Sequence, residues 1–207
     1  MKVWATIWGR LVGRPPRPTP PIVIVSGLPR SGTSMMMQML AAGGIDPLTD
    51  DRRQADADNP KGYFELETVK QLATDASWLE HAPGKAVKII SSLLRDLPPR
   101  EPPYKVIFME RDIREVLASQ AIMLRRRGKS DPEIDDDTMA EQLTQHVDAT
   151  KAWLRTQPHL DTLYITHANA LSHPRATAQA VQQFIAQPLN IDAMAATVDP
   201  ALHRNRA

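Results

Sequence analysis

Apolar residues in this chain come in two rhythms. Short, largely apolar runs at 22–26, 86–90, 105–109 and 162–166 have the length and bounding turns of strands buried on both faces. Between them, apolar positions recur every three to four residues. This predicts helices at 33–43, 65–81 (stripe Leu66, Val69, Leu72, Ala73), 112–127 (stripe Ile113, Val116, Leu117, Ile122), 136–157 and 174–186. Strands separated by helical stretches argue for a single α/β domain: a parallel sheet of four or five strands with helices on both faces. The first 21 residues stand apart. Trp4, Trp8, Leu11 and Val12 fall at helical spacing among Lys2, Arg10 and Arg14, and a Pro-rich spacer, 15–21, follows. The expected division is an arm over 1–21 and the α/β domain over 22–207. The arm is read as a helix packed on a partner or on its own domain, or as a basic amphipathic contact of residues 1–14 with a membrane surface.

The first strand runs into Gly27-Leu28-Pro29-Arg30-Ser31-Gly32-Thr33-Ser34, and a helix starts at once. Strand, glycine loop and helix start in that order make an anion site: backbone N–H groups converge on the loop, and the helix N-terminus adds partial positive charge. Gly27 and Gly32 stand where the chain needs positive φ or close approach to a ligand. Arg30, Ser31, Thr33 and Ser34 add a cation and hydroxyl donors. The frame is that of a P-loop, G-x-x-x-x-G, but Thr33 replaces the Lys of a nucleoside triphosphatase, and the basic group sits inside the loop.

A second signal lies at 105–119. Arg111 follows a predicted strand, at the carboxyl edge where open α/β sheets bind ligands, and Ser119 lies eight residues on, about two turns into the next helix. The guanidinium fork suits phosphate oxygens, which it grips in pairs. Glu110, ending the apolar strand, also fits the metal-holding acid of a small kinase or triphosphatase, but the absent loop Lys counts against that reading and leaves Arg111 and Ser119 unexplained.

The loop P-R-S-G-T-S, with Arg111 and Ser119, resembles the two phosphate-binding motifs of the sulfotransferases that use 3′-phosphoadenosine 5′-phosphosulfate (PAPS), in particular bacterial members. The segment from Asn59 to Glu65 (NPKGYFE), the strand 86–90, His167 to Pro174 and Val198 to Arg204 are similar to further stretches of that family. The resemblance implies PAPS as donor, bound by Gly27, Arg30, Ser31, Gly32, Thr33 and Ser34 at the phosphosulfate and by Arg111 and Ser119 at the 3′-phosphate. It sets His167 where the family has an adenine-side Tyr. It also implies that Lys88 faces the sulfuryl group. Ile90, however, occupies the position of the cytosolic enzymes' catalytic His, so the base must come from elsewhere. Glu65 is the candidate, expected at the start of a helix, where an acid also has an ordinary role beside the helix dipole. Arg30, Glu65 and Lys88 thus form the expected catalytic set. A module that keeps the loop and has lost turnover is the non-enzymatic alternative, motivated by Ile90.

Charge and composition narrow the remainder. Lys and Arg number 25 against 24 Asp and Glu, so no bulk charge drives nucleic-acid binding. With no cysteine, thiolate chemistry and disulfides are excluded, and no histidine pair has ligand spacing, so no metal is expected. No apolar run approaches the ~20 residues that span a bilayer, and a cytoplasmic protein is expected. The acceptor is expected to be a small-molecule, carbohydrate or peptide hydroxyl (or an amine), with no code for it in the sequence.

Overall fold

The computed structural model describes residues 19–50, 56, 62–126, 128 and 135–199. The predicted arm lies almost wholly outside the described residues, as does the closing stretch from 200. Among the described residues four strands form one parallel sheet in the order β2-β1-β3-β4: β1 (Val23–Gly27), β2 (Ala86–Lys88), β3 (Tyr104–Glu110) and β4 (Leu160–Thr166). Val23 stands opposite both Ala86 and Lys105, and Tyr104 opposite Leu160, so the carboxyl ends fall along one edge.

The apolar runs become strands because both of their faces are covered. On one face α1 (Thr33–Gly43), α5 (Pro174–Ile185) and α6 (Ile191–Ala196) pack Met36, Met37, Leu40, Val181 and Met194 against Val23, Val25 and Ile107. On the other, α3 (Asp136–Leu154) and three 3₁₀ segments cover Ile22, Ile24, Val87, Val106 and Phe108. Helix α2 (Ile113–Arg126) follows β3, and α4 (His167–Ser172) follows β4.

Several boundaries differ from the sequence expectation. The helix predicted over 65–81 is two 3₁₀ segments, Glu67–Gln71 and Ser77–His81. The Thr74 hydroxyl bonds back to the Gln71 carbonyl and the Asp75 carboxylate accepts the Ser77 N–H. These local bonds offer the backbone an alternative to a continued helix. The second strand stops at Lys88, two residues early, because Ile90 turns into the 3₁₀ segment Ser91–Asp96. Helices α4 and α6 were not expected. Each has a side-chain cap: Thr166 Oγ1 accepts from the Asn169 N–H, and Asn190 Oδ1 from the Ala193 N–H.

The chain leaves β1 for β2 on one side and then crosses to β3 on the other. The crevice at such a reversal, outside the strand ends, is where open α/β sheets take their ligands. The 28–32 loop sits there. No helix among the described residues is long and apolar enough to cross a membrane.

Candidate active site

The loop's shape is set by three left-handed residues: Gly27 (φ 143°), Arg30 (φ 73°) and Gly32 (φ 98°). Glycine is needed at both ends on steric grounds as well. A Cβ on Gly27 would stand 2.5 Å from the Met109 carbonyl oxygen and 2.6 Å from Ser31 Oγ; one on Gly32 would stand 2.6 Å from the His167 ring. Arg30 has no such exemption, and a non-glycine residue in this region marks local strain of about 1–3 kcal/mol. Ser31 is buried and its Oγ has no hydrogen-bond partner among the described residues, an uncompensated donor in a loop that presents N–H groups. Gly32 caps α1, so the first N–H groups of that helix face the loop.

On the β3 side, Arg30 Nε donates to Ser119 Oγ (2.9 Å) and Arg111 Nη1 donates to the Arg30 carbonyl (3.1 Å). Arg111 Nε also meets Glu115 Oε2 at 2.8 Å, with the two side chains only 9% and 14% exposed. Loop, strand end and α2 are thereby tied into one cluster, although Arg30 and Ser119 are 89 positions apart. Arg111 and Ser119, both expected at the 3′-phosphate, each bond Arg30 here. The Arg30 guanidinium is drawn toward that side of the loop.

On the β2 side, Lys88 Nζ donates to the Tyr63 carbonyl (2.8 Å) and to Ser34 Oγ (3.2 Å), and lies 3.7 Å from Glu65 Oε1. The Lys88 side chain is 11% exposed and that of Glu65 34%. Of the expected catalytic set, Lys88 and Glu65 come together here, with Ser34, while the Arg30 side chain is bonded on the opposite flank. Glu65 is not at a helix start, however. It lies in irregular chain two residues before the 3₁₀ segment, so the first-turn role belongs to Glu67, which pairs with Lys70. Ile90 is 39% exposed, a large apolar side chain left uncovered just past Lys88.

His167 begins α4 with its ring against Gly32 and is 8% exposed, so it supports the loop from behind the β4 end. Glu110, the acid of the kinase reading, is ion-paired with Lys151 of α3. Lys151 also lies over the Tyr164 ring, and burial holds that phenol above its ordinary pKa against the opposing pull of Arg155 and Lys151. Beside them a cavity of about 190 Å³ opens on the α3 side of the loop, lined by Leu28, Ser31, Arg111, Asp148 and Lys151 among others. Among the described residues no three His, Asp or Glu side chains gather as a metal site would need.

Two participants were missed in the sequence. Glu115, in the first turn of α2, stands four residues after Arg111, which lies just before that helix, a spacing that does signal an ion pair. The Tyr63 carbonyl that holds Lys88 has no sequence signature, because it is backbone.

The family described as "Sulfotransferase domain" matches residues 20–204. Among solved structures, the chain is similar to the sulfotransferase domain of the Synechococcus PCC 7002 olefin synthase, at 15% identity and a TM-score of 0.57, over 94% of this chain and 91% of that one. It is also similar to the sulfotransferase domain from the curacin biosynthetic pathway, at 12% identity and a TM-score of 0.52, over 92% of this chain and 93% of that one. At such identities the likeness is one of fold. A search of curated proteins returns no match. The chain belongs to the sulfotransferase domain family, enzymes that transfer sulfuryl groups.

Proposed function

We propose that the chain moves a sulfuryl group from PAPS to a hydroxyl or amine acceptor by in-line transfer. The observation that carries this reading is the loop with a cation–hydroxyl group on each flank: Arg30, Arg111 and Ser119 on one side, Lys88 and Ser34 on the other. The residues fit a donor with two separated anionic groups. Gly27 and Gly32 keep the cradle clear of side chains, and Ser31 Oγ has a hydrogen bond still to make. PAPS supplies an activated sulfuryl group whose leaving oxygen belongs to a phosphate.

The residues divide the work. Gly27, Ser31, Gly32, Thr33 and Ser34 present N–H and O–H donors to the phosphosulfate, at a helix N-terminus that favours anions. Arg111 and Ser119 select the 3′-phosphate, and His167 buttresses the loop on the adenine side. As the acceptor atom bonds to sulfur and the bond from sulfur to the phosphate oxygen breaks, the electron pair stays on that oxygen. Lys88 and Arg30 then stabilise charge that grows only in the transition state, which is where such interactions raise the rate. Glu65 takes the proton from the acceptor. Acceptors are small-molecule, carbohydrate or peptide hydroxyls entering past Ile90.

The test is transfer of labelled sulfate from PAPS to a panel of simple phenols, alcohols and amines, with 3′,5′-diphosphoadenosine as the second product. Binding of 3′,5′-diphosphoadenosine no tighter than 5′-AMP overturns the donor assignment. Metal-dependent ATP turnover in its place establishes the kinase reading.

A further inference from the structure

The segment bearing Glu65 is held in a conformation that its own sequence does not favour. Phe64 is left-handed, with φ 52°, a region that costs a bulky residue energy unless its surroundings impose it. Among the described non-glycine residues only Arg30, Phe64 and Ala186 have positive φ. One of these is in the loop itself, and another immediately precedes the proposed base. The surroundings that impose it can be traced back to the sheet. Residues 46–48 run along the outer edge of β2: Ala86 N–H donates to the Asp46 carbonyl (2.9 Å), and Leu48 N–H to the Ala86 carbonyl (2.8 Å).

That strap delivers Thr49 and Asp50 to the carboxyl end of β2, beside Lys88. There the Glu65 carbonyl accepts from Thr49 Oγ1 (2.9 Å) and from the Asp50 N–H (3.3 Å). The Asp50 carboxylate accepts the Glu67 N–H at 2.8 Å. On the near side the Tyr63 carbonyl is fixed by Lys88, while the Phe64 ring packs against the α1-side core with Met35. The backbone is therefore anchored on both sides of Glu65: the Tyr63 carbonyl by Lys88 of the edge strand, and the Glu65 carbonyl and Glu67 N–H by the strap that runs along that strand.

We propose that Thr49 and Asp50 are positioning residues, which hold the backbone of 64–67 so that the Glu65 carboxylate is presented beside Lys88 to the acceptor. This rests on Glu65 being the base. Neither side chain need touch the donor or acceptor. A displacement of about 1 Å at a reacting group is worth up to ~10²-fold in rate, so a clamp of this kind has leverage without contact.

Thr49→Val keeps the shape and removes the hydroxyl; Thr49→Ser restores it. With PAPS and a reactive phenol as the probe acceptor, Thr49→Val is expected to lower kcat by about tenfold with the PAPS KM unchanged, and Thr49→Ser to recover most of it. In a Glu65→Gln background the same Thr49→Val should cost less than about twofold, because residues acting through one another are not additive. In the ligand-free protein, amide exchange at Asp50 and through 63–67 should quicken in Thr49→Val while β1 and β3 stay protected. Equal cost in both backgrounds, or unaltered exchange and kcat in Thr49→Val, overturns the clamp. A Glu65→Gln variant as fast as wild type overturns the base assignment itself, and the clamp's catalytic role with it.

Discussion

The two flanks of the loop use the same three kinds of group and close them differently. On the β3 side a cation, a hydroxyl and a carboxylate are Arg111, Ser119 and Glu115; on the β2 side they are Lys88, Ser34 and Glu65. The first set is tight: the guanidinium and carboxylate meet at 2.8 Å, both nearly buried, and a loop carbonyl is gripped as well. The second is loose. Its ammonium and carboxylate stand 3.7 Å apart, and the carboxylate is a third exposed. A planar fork fixed by several bonds is pre-organised to hold an anion, whereas a compact ammonium beside an accessible carboxylate is arranged to exchange charge and protons. On the proposed function, the β3 flank is the one that holds the donor and the β2 flank the one that runs the reaction.

The strongest attempt to break this division is Glu65→Gln. If the β2 flank is the reacting one, turnover should fall about 10²–10⁴-fold while affinity for 3′,5′-diphosphoadenosine stays within about twofold of wild type. Steady-state rates beside calorimetry check it. A loss of donor affinity matching the loss of rate would erase the distinction between the flanks.

Arg111→Ala strikes the holding flank. Losing a charge-assisted hydrogen bond to phosphate costs about 1.5–3 kcal/mol, so affinity for 3′,5′-diphosphoadenosine should fall roughly ten- to a hundredfold. Affinity for 5′-AMP, which lacks the 3′-phosphate, should change little. An equal loss for both nucleotides in calorimetry would assign Arg111 to the fold rather than to phosphate selection.

Arg30 belongs to both flanks in function and to one in contact, which makes it the sharper probe. Its Nε is committed to Ser119, yet it sits in the loop that the proposed function assigns to the phosphosulfate. Arg30→Ala should lower kcat by about tenfold and donor affinity by less, with Arg30→Lys recovering part of the rate, since the lost interaction is strongest as charge develops. A change confined to the donor KM would place Arg30 wholly with Arg111.

How much of this could be read in the sequence follows from how local each feature is. The strands were legible because Val23 to Val25 and Val106 to Met109 are apolar without interruption, as strands covered on both faces must be. The loop was legible because its glycines, cation and hydroxyls are contiguous. The stretch 65–81 misled because Leu66, Val69 and Leu72 recur at a period of three, which is a 3₁₀ period read as an approximate α one. Contacts such as Arg30 with Ser119, Lys88 with Ser34 and Thr49 with Glu65 join residues 89, 54 and 16 positions apart, and only the folded sheet edge brings them together. Glu65 itself was found in a motif, but its setting was not, since a left-handed Phe64 is a product of tertiary restraint.

The smallest effect discriminates the flanks most finely, because it applies one chemical change to both carboxylates. Glu115→Gln removes a negative charge beside Arg111, but the amide oxygen still accepts from Nε, so the fork keeps its orientation. The charge that goes is one that opposed an incoming phosphate. Affinity for 3′,5′-diphosphoadenosine should therefore rise by about two- to fivefold, corresponding to roughly 0.5–1 kcal/mol of partly screened repulsion, and kcat should hold within about twofold. Glu65→Gln, the same change on the other flank, is expected to do the reverse: no gain in affinity and a collapse in kcat. The gain should also shrink as salt is raised, because what was removed is a long-range charge effect. Calorimetry at two ionic strengths reads both outcomes. Weaker binding in Glu115→Gln would mean that the full ion pair, and not merely a hydrogen-bond acceptor, is needed to hold Arg111 in place.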